Sequence, residues 1–423
     1  MLRQLKKIIP APVFKTFQPL YHFMLAYVGA LVYGFPSRKM CVIGVTGTKG
    51  KSTTTELIAT ILERAGHTVA VSNTIRFSVA GNSTPNLYKM SMPGRLFMQQ
   101  FLARARAAHC THVVMEITSE GARQYRHRGI ALDMLVFTNL SPEHIESHGS
   151  FEKYRDAKRS IGRALAQSSK KETWIVANKD DVESTFYLSL PASHALAFSL
   201  TDAEPYSLDE HTVSFTFNKE RIVAPLTGLF NVYNALAAVT ATSALGVSTD
   251  IIRDALAGVA QIKGRVERIV ARGDAGTRQQ IEVVVDYAHT ADSLEKLYTA
   301  FADKRKICVL GNTGGGRDTW KRKEMGAIAD AYCDAIILTD EDPYDDDPRK
   351  IVEDMTEGIT RVPYQIIMDR REAIATAIKE ANAGDVVLIT GKGTDPYIMR
   401  AQGVKEPWSD ADVAREELER ALS

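Results

Sequence analysis

An α/β protein built on mainly parallel sheets is what this sequence predicts, on three observations. Short apolar runs alternate with helical stretches through most of the chain. Most of these runs empty into polar or glycine-rich loops, as strands do at the carboxyl end of a parallel sheet. One of them, 40–45, is followed by a glycine turn and then by a helix start near Ser52, in the sequence VTGTKGKSTTT.

That stretch organises the rest. Gly47 and Gly50 let backbone N–H groups approach phosphate oxygens, Lys51 supplies a point charge for the outer phosphates, and the Ser52 hydroxyl suits Mg²⁺. The strict G-x-x-x-x-G-K-[ST] template is missed by one place, because Val45 stands where its first glycine belongs and Gly44 comes one residue early. The order of strand, glycines and GKST still reads as a nucleoside triphosphate cradle.

Ahead of it, residues 1–39 read as an apolar helical segment. Arg3, Lys6, Lys7 and Lys15 precede a run from Thr16 to Ser37 that has no formal charge, His22 aside. The run approaches the ~20 residues that cross a bilayer, but Gln18, Pro19, His22 and two glycines interrupt it. The basic flank and Tyr21, Tyr27 and Tyr33 suit a helix on a membrane surface or against a protein partner, through residues 16–37, and a helix packed on the ATP-binding domain itself is the equal alternative. A cleaved signal peptide is disfavoured, because a site that needs cytosolic ATP follows at once. The expected location is the cytoplasm, at the inner face of the membrane if the helix touches lipid.

From residue 40 to about 258 the first alternation runs through candidate strands at 68–72, 112–117, 134–138 and 173–177. Glu116 and Thr118 then close one strand, and Thr138, Asn139 and His144 follow another. KGRVERI near Lys263 reads as a junction. Beyond it, 283–290, 306–318, 335–343 and 385–395 each look like a strand emptying into a loop. The predicted domains are 1–39, a central ATP-binding domain at 40–263 and a Rossmann-like domain at 264–423.

Composition bounds the function. At 423 residues the chain is too long for one typical core. Lys and Arg number 52 against 51 acidic residues, so no global field draws the protein to nucleic acid. Cys41, Cys110, Cys308 and Cys333 stand singly in apolar contexts without a CxxC pair, which argues against a zinc site or a disulfide framework and for core cysteines of a reducing compartment.

A phosphate cradle alone says only nucleoside triphosphate; its companions say more. TGTKGKSTT, MEITSEG, FTNLSPEHIESHGSFEKYRDAK, GLFNVYNALAA, GRVERI, VVDYAHTADSLEK, GGRDTWKR, DRREAI and GKGTD follow one another in this order. The set resembles the Mur ligases, most closely the branch that adds the third residue of the peptidoglycan stem peptide. The resemblance implies an ATP-dependent amide ligase: ATP phosphorylates a muramoyl-peptide carboxylate, and the amine of an amino acid attacks the acyl phosphate. It implies ATP held by Gly47, Thr48, Lys49, Gly50, Lys51, Ser52 and Thr53, with Asn231, Asn234, Arg265, Asp286 and His289 toward the nucleoside. It implies Mg²⁺ on Ser52, Glu116, His144 and Lys158, the last as a carbamate formed with CO₂, so that Lys51, Glu116, His144 and Lys158 carry catalysis. It places the acceptor on Ser91, Met92, Thr118, Gln124 and Arg126, where His127 and Arg128 add positive charge, and the amino acid on Arg317, Asp342, Tyr344, Gly391 and Asp395.

The departures matter as much. Relatives carry an N-terminal domain that grips uridine diphosphate, where this chain has about 39 residues. Tyr344 replaces the arginine that pairs with the distal carboxylate of diaminopimelate, and Asp342 and Asp395 would add negative charge there. That combination favours a basic amino acid such as lysine or ornithine. Other ligases of this fold, of folylpolyglutamate, cyanophycin or polyglutamate type, fit the cradle and Lys158 but fit DYAHT and DRREAI less well. A nucleotide-binding scaffold without activity is the remaining alternative, against which the joint retention of Lys51, Ser52, Glu116, His144 and Lys158 speaks.

Overall fold

A strand covered on both faces shows no polar alternation, and β1 (Cys41–Thr46) shows none: Val42 to Thr46 are all buried. The computed structural model describes residues 11–143, 145–269, 281–316 and 319–422. They divide into two compact units: residues 1–142, 149–202 and 233–255 form unit 1, and residues 143–148, 203–232 and 256–423 form unit 2.

Unit 1 is built on an eight-stranded sheet. After β1 come β2 (Val69–Ser72), β3 (Arg76–Val79), β4 (Asn82–Pro85), β5 (His112–Glu116), β6 (Met134–Phe137), β7 (Trp174–Asn178) and β8 (His194–Phe198), in the spatial order β4-β3-β2-β5-β1-β6-β7-β8. β1 lies parallel between β5 and β6. The chain leaves β1 to one side, returns as β5 and crosses over to β6, so a crevice opens at the carboxyl ends of these strands. The antiparallel pairs β2–β3 and β3–β4 extend the edge, an addition that the sequence reading lacked. One core cluster joins Val42, Val113, Leu135 and Phe137 of the sheet to Met98, Phe101 and Leu102 of a covering helix.

The helices of this unit include α1 (Ala11–Val32), α2 (Lys51–Arg64), α3 (Arg95–Ala107) and α4 (Ser119–Arg123), followed by α5 (Phe151–Ala166). Within the apolar N-terminal segment residues 11–32 are thus a helix, and it packs on α3 through small residues. Ala26 and Ala30 are fully buried, and a Cβ on Gly29 would lie 3.1 Å from Leu96. No helix among the described residues is long and apolar enough to cross a membrane.

Unit 2 carries a three-stranded antiparallel sheet of β9 (Ser207–Leu208), β10 (Val213–Phe217) and β11 (Glu220–Ala224). Its main sheet has six strands: β12 (Glu267–Ile269), β13 (Glu282–Val285), β14 (Lys306–Leu310), β15 (Ala335–Leu338), β16 (Tyr364–Ile366) and β17 (Val386–Ile389), in the order β12-β13-β17-β14-β15-β16. All are parallel except β12. Alternate strand residues feed two separate clusters, Val284, Cys308, Leu338 and Leu388 in one and Val283, Val309, Ile337 and Ile389 in the other, so both faces are covered.

The reading of four single cysteines needs correction here. Cys308 in β14 and Cys333 at the end of the helix Lys321–Tyr332 form a disulfide, their Cα atoms 6.2 Å apart. They stand 25 positions apart, and the strand-helix unit folds back far enough to bring the two together, which single spacing in the sequence could not reveal. Cys41 and Cys110 are free, and burial pushes the Cys41 thiol up to about 12, helped by the nearby charge of Asp133.

Candidate active site

The turn after β1 has a shape that only glycine permits at two positions. Gly47 has φ +150°, and a Cβ there would lie 1.9 Å from the Thr138 hydroxyl. Gly50 has φ +83°, and a Cβ there would lie 2.2 Å from Asn234 Oδ1. Asn234 therefore sits directly on the phosphate loop.

The loop is tied down from the end of β6. Asn139 accepts the Lys49 N–H at 2.9 Å, its backbone carbonyl accepts the Thr48 N–H at 2.8 Å, and Thr138 donates to the Lys49 carbonyl at 2.7 Å. The Thr48 hydroxyl shares a 2.8 Å hydrogen bond with the Tyr154 hydroxyl. Lys51 and Ser52 open α2, so the helix N-terminus points its free N–H groups into the turn. Thr53 is buried in that first turn.

Glu116, at the carboxyl end of β5, is the hub. Ser52 donates to it at 2.8 Å, Lys51 Nζ lies 3.8 Å away, and Thr74 donates to it through both N–H, at 3.2 Å, and hydroxyl, at 3.0 Å. Thr74 was not among the sequence candidates; it stands just beyond β2, at the end of the sheet where functional residues gather. The Thr74 hydroxyl also meets that of Ser91 at 3.0 Å. Lys158, on α5, is buried at 2% exposure, its Nζ donating to the Gly47 carbonyl at 2.5 Å and lying 5.1 Å from the Tyr154 ring centre.

Beside this hub lie the remaining acceptor candidates. Thr118 caps α4 by accepting the Gly121 N–H at 3.1 Å. Arg126 donates to the Met92 carbonyl and, at 2.8 Å, to Gln124 Oε1. Gln124 also donates to Glu120 at 2.5 Å. His127, however, does not add positive charge. It is buried with no hydrogen-bond partner on either ring nitrogen, and burial, with Arg128 beside it, pushes its pKa down to about 3.

In unit 2 several candidates are engaged in holding loops. Asp286 accepts the Val266 N–H at 2.8 Å and the Ala288 N–H at 2.7 Å, and burial raises its carboxyl above the ordinary value against the opposing charges of Arg265 and His289. Arg265 donates to the Gly264 carbonyl at 2.8 Å and lies over the Tyr287 ring. His289 faces the Tyr287 carbonyl at 2.6 Å through Nδ1 and Glu143 at 3.0 Å through Nε2. Asn231 donates to the Thr227 carbonyl one helical turn back at 2.8 Å.

Asp342 accepts from Lys392 Nζ and from the Met399 N–H, each at 2.8 Å, and Asp395 lies 3.8 Å from the same fully buried ammonium. Lys392 thus offsets part of the negative charge on which the expectation of a basic amino acid drew. Tyr344 holds a left-handed backbone, φ 54°, with its ring against Gly315. Gly391 leaves room for buried Glu341, whose carboxyl is raised by that burial. His144 and Arg317 lie outside the described residues.

The set fits Mg²⁺ on its chemistry. No group of three or more His, Cys, Asp and Glu among the described residues is placed to hold a metal by itself. Mg²⁺ ordinarily takes one or two carboxylates together with phosphate oxygens and water, and Glu116 beside the Ser52 hydroxyl is such a partial set.

Comparison with known proteins decides the family. The Mur ligase middle domain matches residues 45–242, and the Mur ligase, glutamate ligase domain matches residues 246–393. A protein of Geobacillus thermodenitrificans named UDP-N-acetylmuramoyl-L-alanyl-D-glutamate--2,6-diaminopimelate ligase is 35% identical over 407 residues, 92% of this chain and 81% of its own length. The chain belongs to the Mur ligase family. A Mur ligase of Roseiflexus, named UDP-N-acetylmuramyl-tripeptide synthetase, is also 35% identical, over 97% of this chain and 84% of its own. Among solved structures, a diaminopimelate ligase of the family aligns with TM-score 0.60 and 29% identity, covering 90% of this chain and 78% of its own. The folylpolyglutamate synthase of Mycobacterium tuberculosis, at TM-score 0.70 and 16% identity over 88% of this chain and 93% of its own, shares the fold. Mur ligases are ATP-dependent ligases that join an acid to an amino acid in peptidoglycan synthesis, and this chain is an enzyme of that kind.

Proposed function

We propose that the chain adds an amino acid to a muramoyl-peptide carboxylate, with unit 1 activating the carboxylate through ATP. The observation that carries this reading is the contact of Ser52 with Glu116 at 2.8 Å, with Lys51 beside it at 3.8 Å. It sets a hydroxyl, a carboxylate and an ammonium together at a helix N-terminus, which is what a magnesium-bound triphosphate requires. Lys51 would neutralise phosphate charge, and Ser52, Glu116, His144 and Lys158 would hold Mg²⁺, which would supply charge stabilisation of the triphosphate.

Lys158 acts as a carbamate in this reading. An ammonium buried at 2% exposure is costly; once it has lost a proton to solvent, the amine adds CO₂ and releases a second proton, becoming an anionic carbamate suited to a cation. Thr118, Gln124, Arg126, Ser91 and Met92 receive the acceptor, and the Thr74–Ser91 contact links that cluster to Glu116. Asn231, Asn234, Arg265, Asp286 and His289 serve the nucleoside, within a central domain at 40–263 and a C-terminal domain at 264–423. Arg317, Asp342, Tyr344, Gly391 and Asp395 serve the amino acid. With Lys392 beside both aspartates, the preference for lysine or ornithine over diaminopimelate rests on Tyr344, which cannot neutralise a distal carboxylate. Residues 16–37 form an outward contact with a membrane surface or a protein partner, and the enzyme works in the cytoplasm.

The deciding experiment is phosphate release from ATP with a muramoyl-dipeptide acceptor and a panel of amino acids. Release that needs both acceptor and amino acid supports the ligase; release indifferent to either refutes it. Preferential incorporation of diaminopimelate would refute the Tyr344 argument alone.

A further inference from the structure

A helix on the surface of a water-soluble unit turns its large apolar side chains inward and its polar ones outward. α1 does the reverse. Its inner face, against α3, is made of Ala26, Gly29 and Ala30, all buried. Its outer face carries Leu20, Met24, Tyr27, Val28, Leu31 and Val32, exposed by 40 to 70% and spaced along one stripe. Small residues inside let the helix sit close to the unit, and the apolar bulk is left for another phase.

The two stretches of sequence that form this face carry charge of one sign. The first 55 residues contain eight Lys and Arg and no Asp or Glu. Residues 65–115, which include all of α3, contain five Lys and Arg and again no acid. Two of these cations border the carboxyl end of α1: Arg38 lies 4.2 Å from the centre of the Phe35 ring, and the Arg106 guanidinium lies 4.0 Å from where a Cβ on Gly34 would be. Arg104 and Arg106 are both exposed on α3.

We infer that the α1–α3 face docks on the surface of an anionic lipid bilayer, α1 lying in the interface with its outer stripe in the acyl boundary. This rests on the outward contact read above for residues 16–37 and not on the ligase chemistry. An apolar stripe bordered by cations matches the two layers that such a surface presents, hydrocarbon beneath anionic headgroups. A second copy of the chain is a poor occupant, because a two-fold contact brings the same cationic borders against each other. Among the described residues the helix does not meet the length and apolarity needed to cross the bilayer, and its one-sided stripe suits the interface plane. Phe23 of α1 meets Tyr125, the neighbour of Arg126, edge-on at 6.0 Å, so the helix is also tied to the segment that follows α4.

The test is sedimentation of the full chain with phosphatidylcholine vesicles, with and without phosphatidylglycerol, at low and high salt. The protein is expected to pellet with the anionic vesicles, less so as salt rises. The double substitution Met24→Asp with Leu31→Asp should abolish pelleting, and Arg104→Gln with Arg106→Gln should weaken it about fivefold per arginine. All positions are exposed, and ATP turnover in both variants should match the parent. Absence of pelleting by the parent overturns the proposal, as does pelleting undiminished by the aspartates. A parent that is dimeric by sedimentation velocity and made monomeric by the aspartates also overturns it, assigning the face to a second copy.

Discussion

In unit 1 the polar side chains around the phosphate loop partly hold one another: Ser52 donates to Glu116 at 2.8 Å, and Lys51 lies 3.8 Å from the same carboxylate while donating to the Thr48 carbonyl at 2.8 Å. In unit 2 the carboxylates at the strand ends are bound to their own scaffold: Asp286 to two backbone N–H groups, and Asp342 to buried Lys392 and the Met399 N–H. The first arrangement can exchange partners, because a hydroxyl and an ammonium that satisfy a carboxylate can equally satisfy a metal and a phosphate. The second cannot be disturbed without loosening a loop. A residue of the first kind should show itself in turnover with stability intact, and one of the second kind in stability as well as turnover.

The largest effect is expected at Lys51. Lys51→Ala should lower acceptor-dependent ATP turnover by about 10²–10³-fold while leaving the urea midpoint near the parent value, since it removes a charge that acts on the phosphates. A fallen midpoint with little lost turnover would erase the distinction between the units. Lys158→Ala should come next, with turnover lost and partly restored by acetate, whose carboxylate can take the place of a carbamate. Full turnover in this variant without any added acid would dismiss the carbamate.

Asp342→Ala should act in the opposite sense, costing about 3–5 kcal/mol of stability by leaving the buried Lys392 ammonium without its nearer partner. Urea unfolding read at the parent's pH checks it, and an unchanged midpoint would mean that Asp342 is as exchangeable as Glu116. The smallest effect is in the response to acid. His112 is pushed down from 6.5 to about 4 by burial and by His67, and His127 from 6.5 to about 3. Below pH 6.5 the unfolded chain takes up protons that the folded unit refuses, so this contribution is full above 6.5 and is lost as pH falls through the folded values. Replacing both by Asn should flatten the fall of stability between pH 6.5 and about 4, measured by unfolding at each pH.

The strands were legible because apolar runs without alternation have few other uses, and the phosphate loop because its backbone demands glycine at 47 and 50. Thr74 escaped because a threonine after a strand is an ordinary turn former, and only the folded hairpin brings it to Glu116. The pairing of Cys308 with Cys333 escaped because sequence separation says nothing of where a helix ends. His127 was misread for a similar reason: charge is a property of surroundings, and burial removes it. Arg370, in the DRREAI motif, bonds the buried Asp410 at 2.7 and 2.8 Å, a structural duty that no motif announces.

The contact of His289 with Glu143 carries a consequence for proton inventory. The imidazole faces an oxygen acceptor on each side, the Tyr287 carbonyl at 2.6 Å and the Glu143 carboxyl at 3.0 Å. A neutral imidazole has a single N–H and cannot donate to both. The Tyr287 carbonyl and the Glu143 carboxyl therefore compete for one N–H, and the tautomer of the ring decides which loop, that after β13 or that at 143, receives it. A single imidazole thus couples the two segments through the choice of tautomer.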